Sequence, residues 1–269
     1  MRNALSLSLW RLIARLTVAV AATLLAYPSL SQAQLKVIMS GGFSGAYSQA
    51  LPEFERTTGI TVTTGSGASQ GTGQQTIAAQ LQRGVPTDVV ILSREGLADL
   101  IAAGWIVAGT DVDLARVPLG VAVRVGAPKP DVSTVEAFKQ TLLNAKSVVV
   151  PGSTSGIYLT TKLFPQLGVT DRITVKVTER GSQAASMVAA GDADIVVQPV
   201  SELLNMPGIE LAGRIPNELQ LVQVFAAAIV KGSKESDAAK RLIQYLASER
   251  AFAAIERNGM DLVSKRATN

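Results

Sequence analysis

The chain contains neither histidine nor cysteine in its 269 residues. Without imidazole or thiolate it can build no Ser-His-Asp or Cys-His nucleophilic system, no disulfide and no metal site that needs those ligands. Carboxylate-only sites for calcium or magnesium stay chemically open, yet there is no clustered D-x-D-x-D loop to make one. Internal repeats, low-complexity linkers and blocks of like charge are missing too, so nothing marks a third domain. Few routes to catalysis survive these absences, and no cofactor is expected.

The formal net charge of +4 belongs largely to the amino terminus. Arg2, Arg11 and Arg15 precede an apolar run over 16–26, Tyr27-Pro28 breaks it, and Ser31-Gln32-Ala33 offers the small residues a signal peptidase reads. This is the three-part pattern of a secretory signal, residues 1–33, with cleavage expected after Ala33. The run is shorter than the roughly 20 residues a spanning helix needs. With no cysteine there is no lipid anchor of the N-terminal-cysteine type, and the mature chain is expected free in the periplasm. Losing three positive charges and no negative ones takes the net charge from +4 to +1. That leaves no large basic surface, and nucleic acid is not expected as a partner.

From Leu35 onward short apolar strands alternate with helices, the signature of an α/β fold. Strands are predicted over 35–39, 60–64, 88–92, 148–151, 173–177 and 195–197. Ser133 and Glu136 read as the capping box of a helix through Leu143, and the carboxyl terminus reads as helices over 237–247 and 249–257. Two longer apolar runs, 117–125 and 219–230, bracket a central block with its own strand and helix alternation. Inserting such a block gives two α/β lobes, 34–117 with 223–269 and 118–222, with a cleft between them.

The stretch 148–159, VVVPGSTSGIYL, reads as a buried strand running into a small-residue loop that opens a helix. A helix start presents unpaired N–H groups and partial positive charge, so it can hold an anion without lysine or arginine. Equally, Ser153, Thr154 or Ser155 can be a plain N-cap. Three further strand-to-helix turns, 40–45, 65–73 and 179–183, carry similar small or polar residues. Ligands in open α/β sheets sit beyond the carboxyl ends of strands, where such turns lie. Two turns in each lobe would grip a ligand from both sides. Asp88, Asp192 and Asp194 read as loop and strand-end residues, and Glu179 is the one acidic residue placed at a ligand-facing turn. Arg180 is either a ligand contact or a surface residue that is solvated or paired with Glu179. Phe43 and Tyr158 pack either on a ligand or in the protein.

Six segments then align with a known pattern: LKVIMSGGFSGAY from residue 35, ALPEFERTTGITV from 50, LQRGVPTDVVILS from 81, VVVPGSTSGIYLTTKLFPQLGV from 148, GDADIVVQPVSEL from 191 and RLIQYLASERAFAAIERNGMDL from 241. They resemble the type II periplasmic solute-binding proteins, most closely the molybdate-binding and related extracellular solute-binding families, in order over almost the whole mature chain. The resemblance implies a two-lobed receptor, a monomer without chemistry of its own, that closes on a small anion and delivers it to a membrane ABC permease.

Members of that family hold an oxyanion with serine hydroxyls, backbone N–H groups and a tyrosine hydroxyl, with no ion pair. By motif, the first-loop serine falls at Gly42, beside Ser40 and Ser44, and the second at Ser69 or Gln70. The third falls at Ser155, the fourth-loop position near Glu179 and Arg180, and the tyrosine at Val197, beside Gln198. The losses at Gly42 and Val197 point away from molybdate or tungstate and toward a larger organic anion such as a carboxylate. Gly41 and Gly42 then make room, and Arg180 can supply a bidentate contact. The expected ligand contacts are Ser40, Gly41, Gly42, Phe43, Ser69, Gln70, Thr154, Ser155, Tyr158, Arg180 and Gln198. The alternatives to a transport receptor are an enzyme on the same scaffold, such as a dehydratase with an acid and base in the cleft, and a ligand-binding sensor.

Overall fold

Two β-sheets divide the chain in the computed structural model, which describes residues 33–263. The expected signal segment, Ala33 apart, lies outside the described residues. The first sheet contains β1 (Gln34–Met39), β2 (Thr61–Ser66), β3 (Val89–Ser93), β4 (Val112–Val117), β10 (Gln223–Ile229) and β11 (Asp261–Leu262), in the order β11-β4-β10-β3-β1-β2. The second contains β5 (Leu119–Arg124), β6 (Val148–Pro151), β7 (Val175–Thr178), β8 (Ile195–Pro199) and β9 (Ile209–Arg214), ordered β7-β6-β8-β5-β9. Among the described residues no helix is long and apolar enough to cross a membrane.

β3 and β6 are buried along their whole length. Their continuous apolar runs are what a parallel strand covered by helices on both faces requires. Helix α1 (Gly41–Thr58) turns Phe43, Ala46, Tyr47, Ala50 and Phe54 inward at helical spacing and stops at Gly59, whose φ of 70° lets its N–H reach the Glu55 carbonyl. The two carboxyl-terminal helices, Ser236–Leu246 and Glu249–Arg257, pack against the same core.

The two long apolar runs are not single strands. β4 ends at Val117 in the first sheet and β5 starts at Leu119 in the second. Pro118 between them has no N–H to continue a ladder. The run 219–230 divides in the same way: a 3₁₀ turn, Asn217–Leu219, precedes β10. At these crossings the Gln220 amide accepts the Leu119 N–H at 2.8 Å and donates to the carbonyls of Leu119 and Ile215 at 2.9 and 2.8 Å. One side chain thereby fastens the outgoing connection to the returning one. The expected Ser133 cap also moves by a residue, because Thr134 accepts the Ala137 N–H while the Ser133 N–H turns back to Asp131.

β1 pairs parallel with β2 and β3, and β6 with β7 and β8. Within each parallel group the carboxyl ends therefore emerge on one side, where helices begin. At the end of β6 the chain turns within two residues into a helix starting at Thr154. That turn needs Gly156: a Cβ there would lie 1.6 Å from the Pro151 carbonyl oxygen, which as backbone cannot yield. Gly156→Ala is expected to lower stability by about 2 kcal/mol or more in urea unfolding. An unchanged midpoint would show that this junction is not close-packed.

Candidate functional site

Strand ends and helix starts of both sheets enclose a cavity of about 310 Å³, at the small end of the range for small-molecule sites. All four small-residue turns reach it: Ser40 and Gly41 from the first, Ser66 and Gly67 from the second, Ser153 and Ser155 from the third, Arg180 and Gly181 from the fourth. Ser40 and Ser153 hold N-cap positions, yet neither side chain makes a cap bond. Ser153 instead accepts the Gln70 N–H from the other side of the cleft at 3.3 Å. The Ser155 side chain has no hydrogen-bond partner among the described residues and lines the cavity.

Among the described residues two charged side chains line this space. Arg180 forms no ion pair among the described residues, with Glu179 or any other carboxylate, so its charge is available to a ligand. Glu202 comes from the 3₁₀ turn after β8, Val200–Glu202. Its carboxyl lies between two helix starts. A Cβ on Gly41 would fall 2.5 Å from Oε1 and one on Gly181 2.6 Å from Oε2. Glycine at these first helical positions leaves the carboxyl that room in its present rotamer. The carboxyl has no hydrogen bond among the described residues, and desolvation pushes its pKa up to about 7, with the Arg180 charge pulling the other way.

Polar atoms without partners gather at the same place. Ser201 and Gln223 line the cavity, and Ser201 Oγ and Gln223 Oε1 are buried with no hydrogen bond among the described residues. Behind the lining, Gln198 Oε1 is also unpaired among the described residues, while its Nε2 donates to the Glu202 carbonyl at 3.0 Å. Buried polar groups in folded proteins are almost always satisfied, so such a group at a cavity marks a place for a ligand or solvent.

Several expected contacts are elsewhere. Gly42 makes room for the Phe225 ring, 2.1 Å from where its Cβ would be, and not for a ligand. Phe43 is fully buried in the first core, its ring 6.4 Å from that of Phe225. The Ser69 hydroxyl accepts the Ser93 N–H at 2.9 Å. Tyr158 donates to the Leu219 carbonyl at 3.0 Å, and Gln198 is fully buried within β8. Gln70 and Thr154 bridge the lobes: Thr154 donates to Gln70 Oε1 at 2.9 Å and lies 2.8 Å from Ser93 Oγ. Glu179 sits outside the cavity near Gly73, and Glu202 takes the acidic place in the cleft. The signal for Glu202 was present in GDADIVVQPVSEL, a carboxylate three residues past a strand's carboxyl end. Asp88 and Asp194 are structural, accepting the Lys36 and Lys146 N–H groups.

Two α/β lobes joined by paired crossings, with a polar cleft at their strand ends, define a type II periplasmic solute-binding protein. The chain belongs to the bacterial extracellular solute-binding protein family, whose sequence profile matches residues 35–261. It is 38% identical over 249 residues to an aconitate isomerase from Pseudomonas sp, a match covering 91% of this chain and 95% of that one. It is 26% identical over 258 residues to the molybdate-binding protein ModA of Azotobacter vinelandii, covering 93% and 98%. The solved sulfate-binding protein SubI from Mycobacterium tuberculosis H37Rv shares the fold with a TM-score of 0.69 at 19% identity, covering 86% of this chain and 88% of that one. The expectation of a receptor without chemistry is corrected here, because the relative at 38% identity is named as an enzyme.

Glu202 sets a pH dependence whose sign follows from linkage. Its folded pKa lies near 7 against an ordinary 4.5, so between these values the folded state keeps a proton that the unfolded state has lost. Stability then falls as pH rises from 4.5 to 7, by up to about 3 kcal/mol, and stays low above 7. Glu202→Gln is expected to remove that fall and to be more stable than the parent at pH 8, as measured by urea unfolding at pH 5 and 8. Parallel pH profiles for the two proteins would contradict the shift.

Proposed function

We propose that the chain binds aconitate, or a closely similar unsaturated polycarboxylate, in the cleft and isomerises it by proton transfer through Glu202. The observation that carries this reading is the unpaired Glu202 carboxyl, poised near neutrality in a cavity whose other charge is Arg180. The aconitate isomerase relative supports it over nearly the whole chain.

The chemistry asks little else of the protein. Aconitate is a propene carrying three carboxylates, with a methylene at one end of the double bond's allylic system. Glu202 removes a methylene proton, and the electron pair of that C–H bond becomes the new C=C bond. The old C=C pair takes up a proton at the other terminal carbon. Because the skeleton is symmetric about its central carbon, the product is again aconitate, cis or trans. Charge that develops during transfer spreads onto a terminal carboxylate, where Arg180 and the N–H groups at the helix starts stabilise it. A base with a pKa near the working pH can both take and return the proton.

The periplasm is the proposed location, supported by the amino-terminal pattern and the family. The same family supports a second reading, delivery of the bound carboxylate to an ABC permease, for which lost uptake of labelled aconitate on deletion of the gene is the test.

Purified mature chain is expected to interconvert cis- and trans-aconitate, followed by proton NMR. Glu202→Gln should lower kcat by about 10²–10⁴-fold while still binding the substrate, and Arg180→Ala should raise KM. A parent protein that leaves both isomers unchanged, or a Glu202→Gln variant with full turnover, would sink the proposal.

A further inference from the structure

One cation serves a ligand with up to three carboxylates. Among the described residues Arg180 is the only lysine or arginine lining the cavity, so the remaining carboxylates have to be held by uncharged donors. Backbone N–H groups at the helix starts are one source. Ser201 and Gln223 are a second source, with no other evident role.

Both residues are more than nine-tenths buried, at 8% and 3% exposure. Ser201 Oγ has no partner, and neither does any side-chain atom of Gln223 among the described residues. A half-turn of the Gln223 amide presents its NH₂ in place of its oxygen. The two residues come from different lobes and meet at the same crossing. Gln223 opens β10 in register with Val117, and Val200, next to Ser201, donates its N–H to the Pro118 carbonyl at 3.0 Å. Leaving such atoms unpaired costs more than an ordinary hydrogen bond contributes, so a residue kept there for stability alone would carry a partner.

Building on the proposed aconitate reading, we infer that Ser201 and Gln223 form a neutral subsite that reads the ligand's third carboxylate and selects tricarboxylates over dicarboxylates. Selectivity from hydrogen bonding is strong, because the smaller ligand leaves the buried donors unpaired.

Titration calorimetry on the full mature chain tests this with trans-aconitate and glutaconate, which has the same allylic chain without the central carboxylate. The parent is expected to prefer aconitate by about tenfold or more, the value of one charge-assisted hydrogen bond. Gln223→Leu and Ser201→Ala should each reduce that preference several-fold, leave glutaconate affinity within about twofold, and keep or raise the melting temperature, since an unpaired polar atom is removed. Three results would overturn the inference: equal affinity of the parent for both ligands, variants that keep the preference, or variants with a lowered melting temperature, which marks a structural role. If the parent isomerises aconitate but the variants keep their preference, the subsite alone falls. If it binds neither ligand, the subsite and the aconitate reading fall together.

Discussion

A carboxyl group taken out of water must find a charged or hydrogen-bonding partner or else hold its proton more tightly. Glu202 has no hydrogen bond among the described residues, and desolvation outweighs the pull of the Arg180 charge, so it holds its proton up to about pH 7. Everything that creates this situation lies in the backbone around it. Gly41 and Gly181 open α1 and the helix Gly181–Ala190, one from each sheet's side of the cleft, and the carboxyl occupies the space their missing side chains leave. The two helix starts bring partial positive charge to the site. The same arrangement that would hold an anionic ligand thus also confines the group proposed to act on it.

The lobes are also fastened to each other by side-chain hydrogen bonds. Thr154 gives its proton to Gln70, so the short contact with Ser93 has the Ser93 hydroxyl as donor. Ser93 in turn caps its own helix, accepting the Gly96 N–H at 3.2 Å. This line of hydroxyls joins the carboxyl end of β3 to the turn after β6. Gln220 does the equivalent job at the crossings, far along the sequence from both. Gln70 and Thr154, expected to touch a ligand, thus join the two lobes, which is a separate use of the same polar side chains.

Most of the fold was legible because it rests on local pattern. Apolar runs such as 89–92 and 148–150 and the helical spacing of Phe43, Ala46, Tyr47, Ala50 and Phe54 are set by burial and need no knowledge of distant neighbours. The turns that open helices were legible for the same reason, and all four reach the cavity. What was not legible depends on long-range packing. Gly42 looks like free space until the Phe225 ring, 183 residues away, fills it. Glu202 and Gln223 lie in or beside apolar segments and resemble strand-end residues. Only the folding of one lobe's turn onto the other lobe strips them of partners. Ser133 and Thr134 differ by a single φ/ψ choice that sequence pattern does not resolve.

The family's scaffold positions donors for a bound solute, and in the proposed reading the Glu202 carboxyl is the step from holding such a solute to moving its protons. The most direct measurement is the titration of Glu202 itself, by carboxyl ¹³C NMR of glutamate-labelled, ligand-free protein with Glu202→Gln as the assignment control. The account predicts one carboxyl with a midpoint near 7 that disappears in the variant. Ordinary titration of every glutamate, near 4.5, would contradict it.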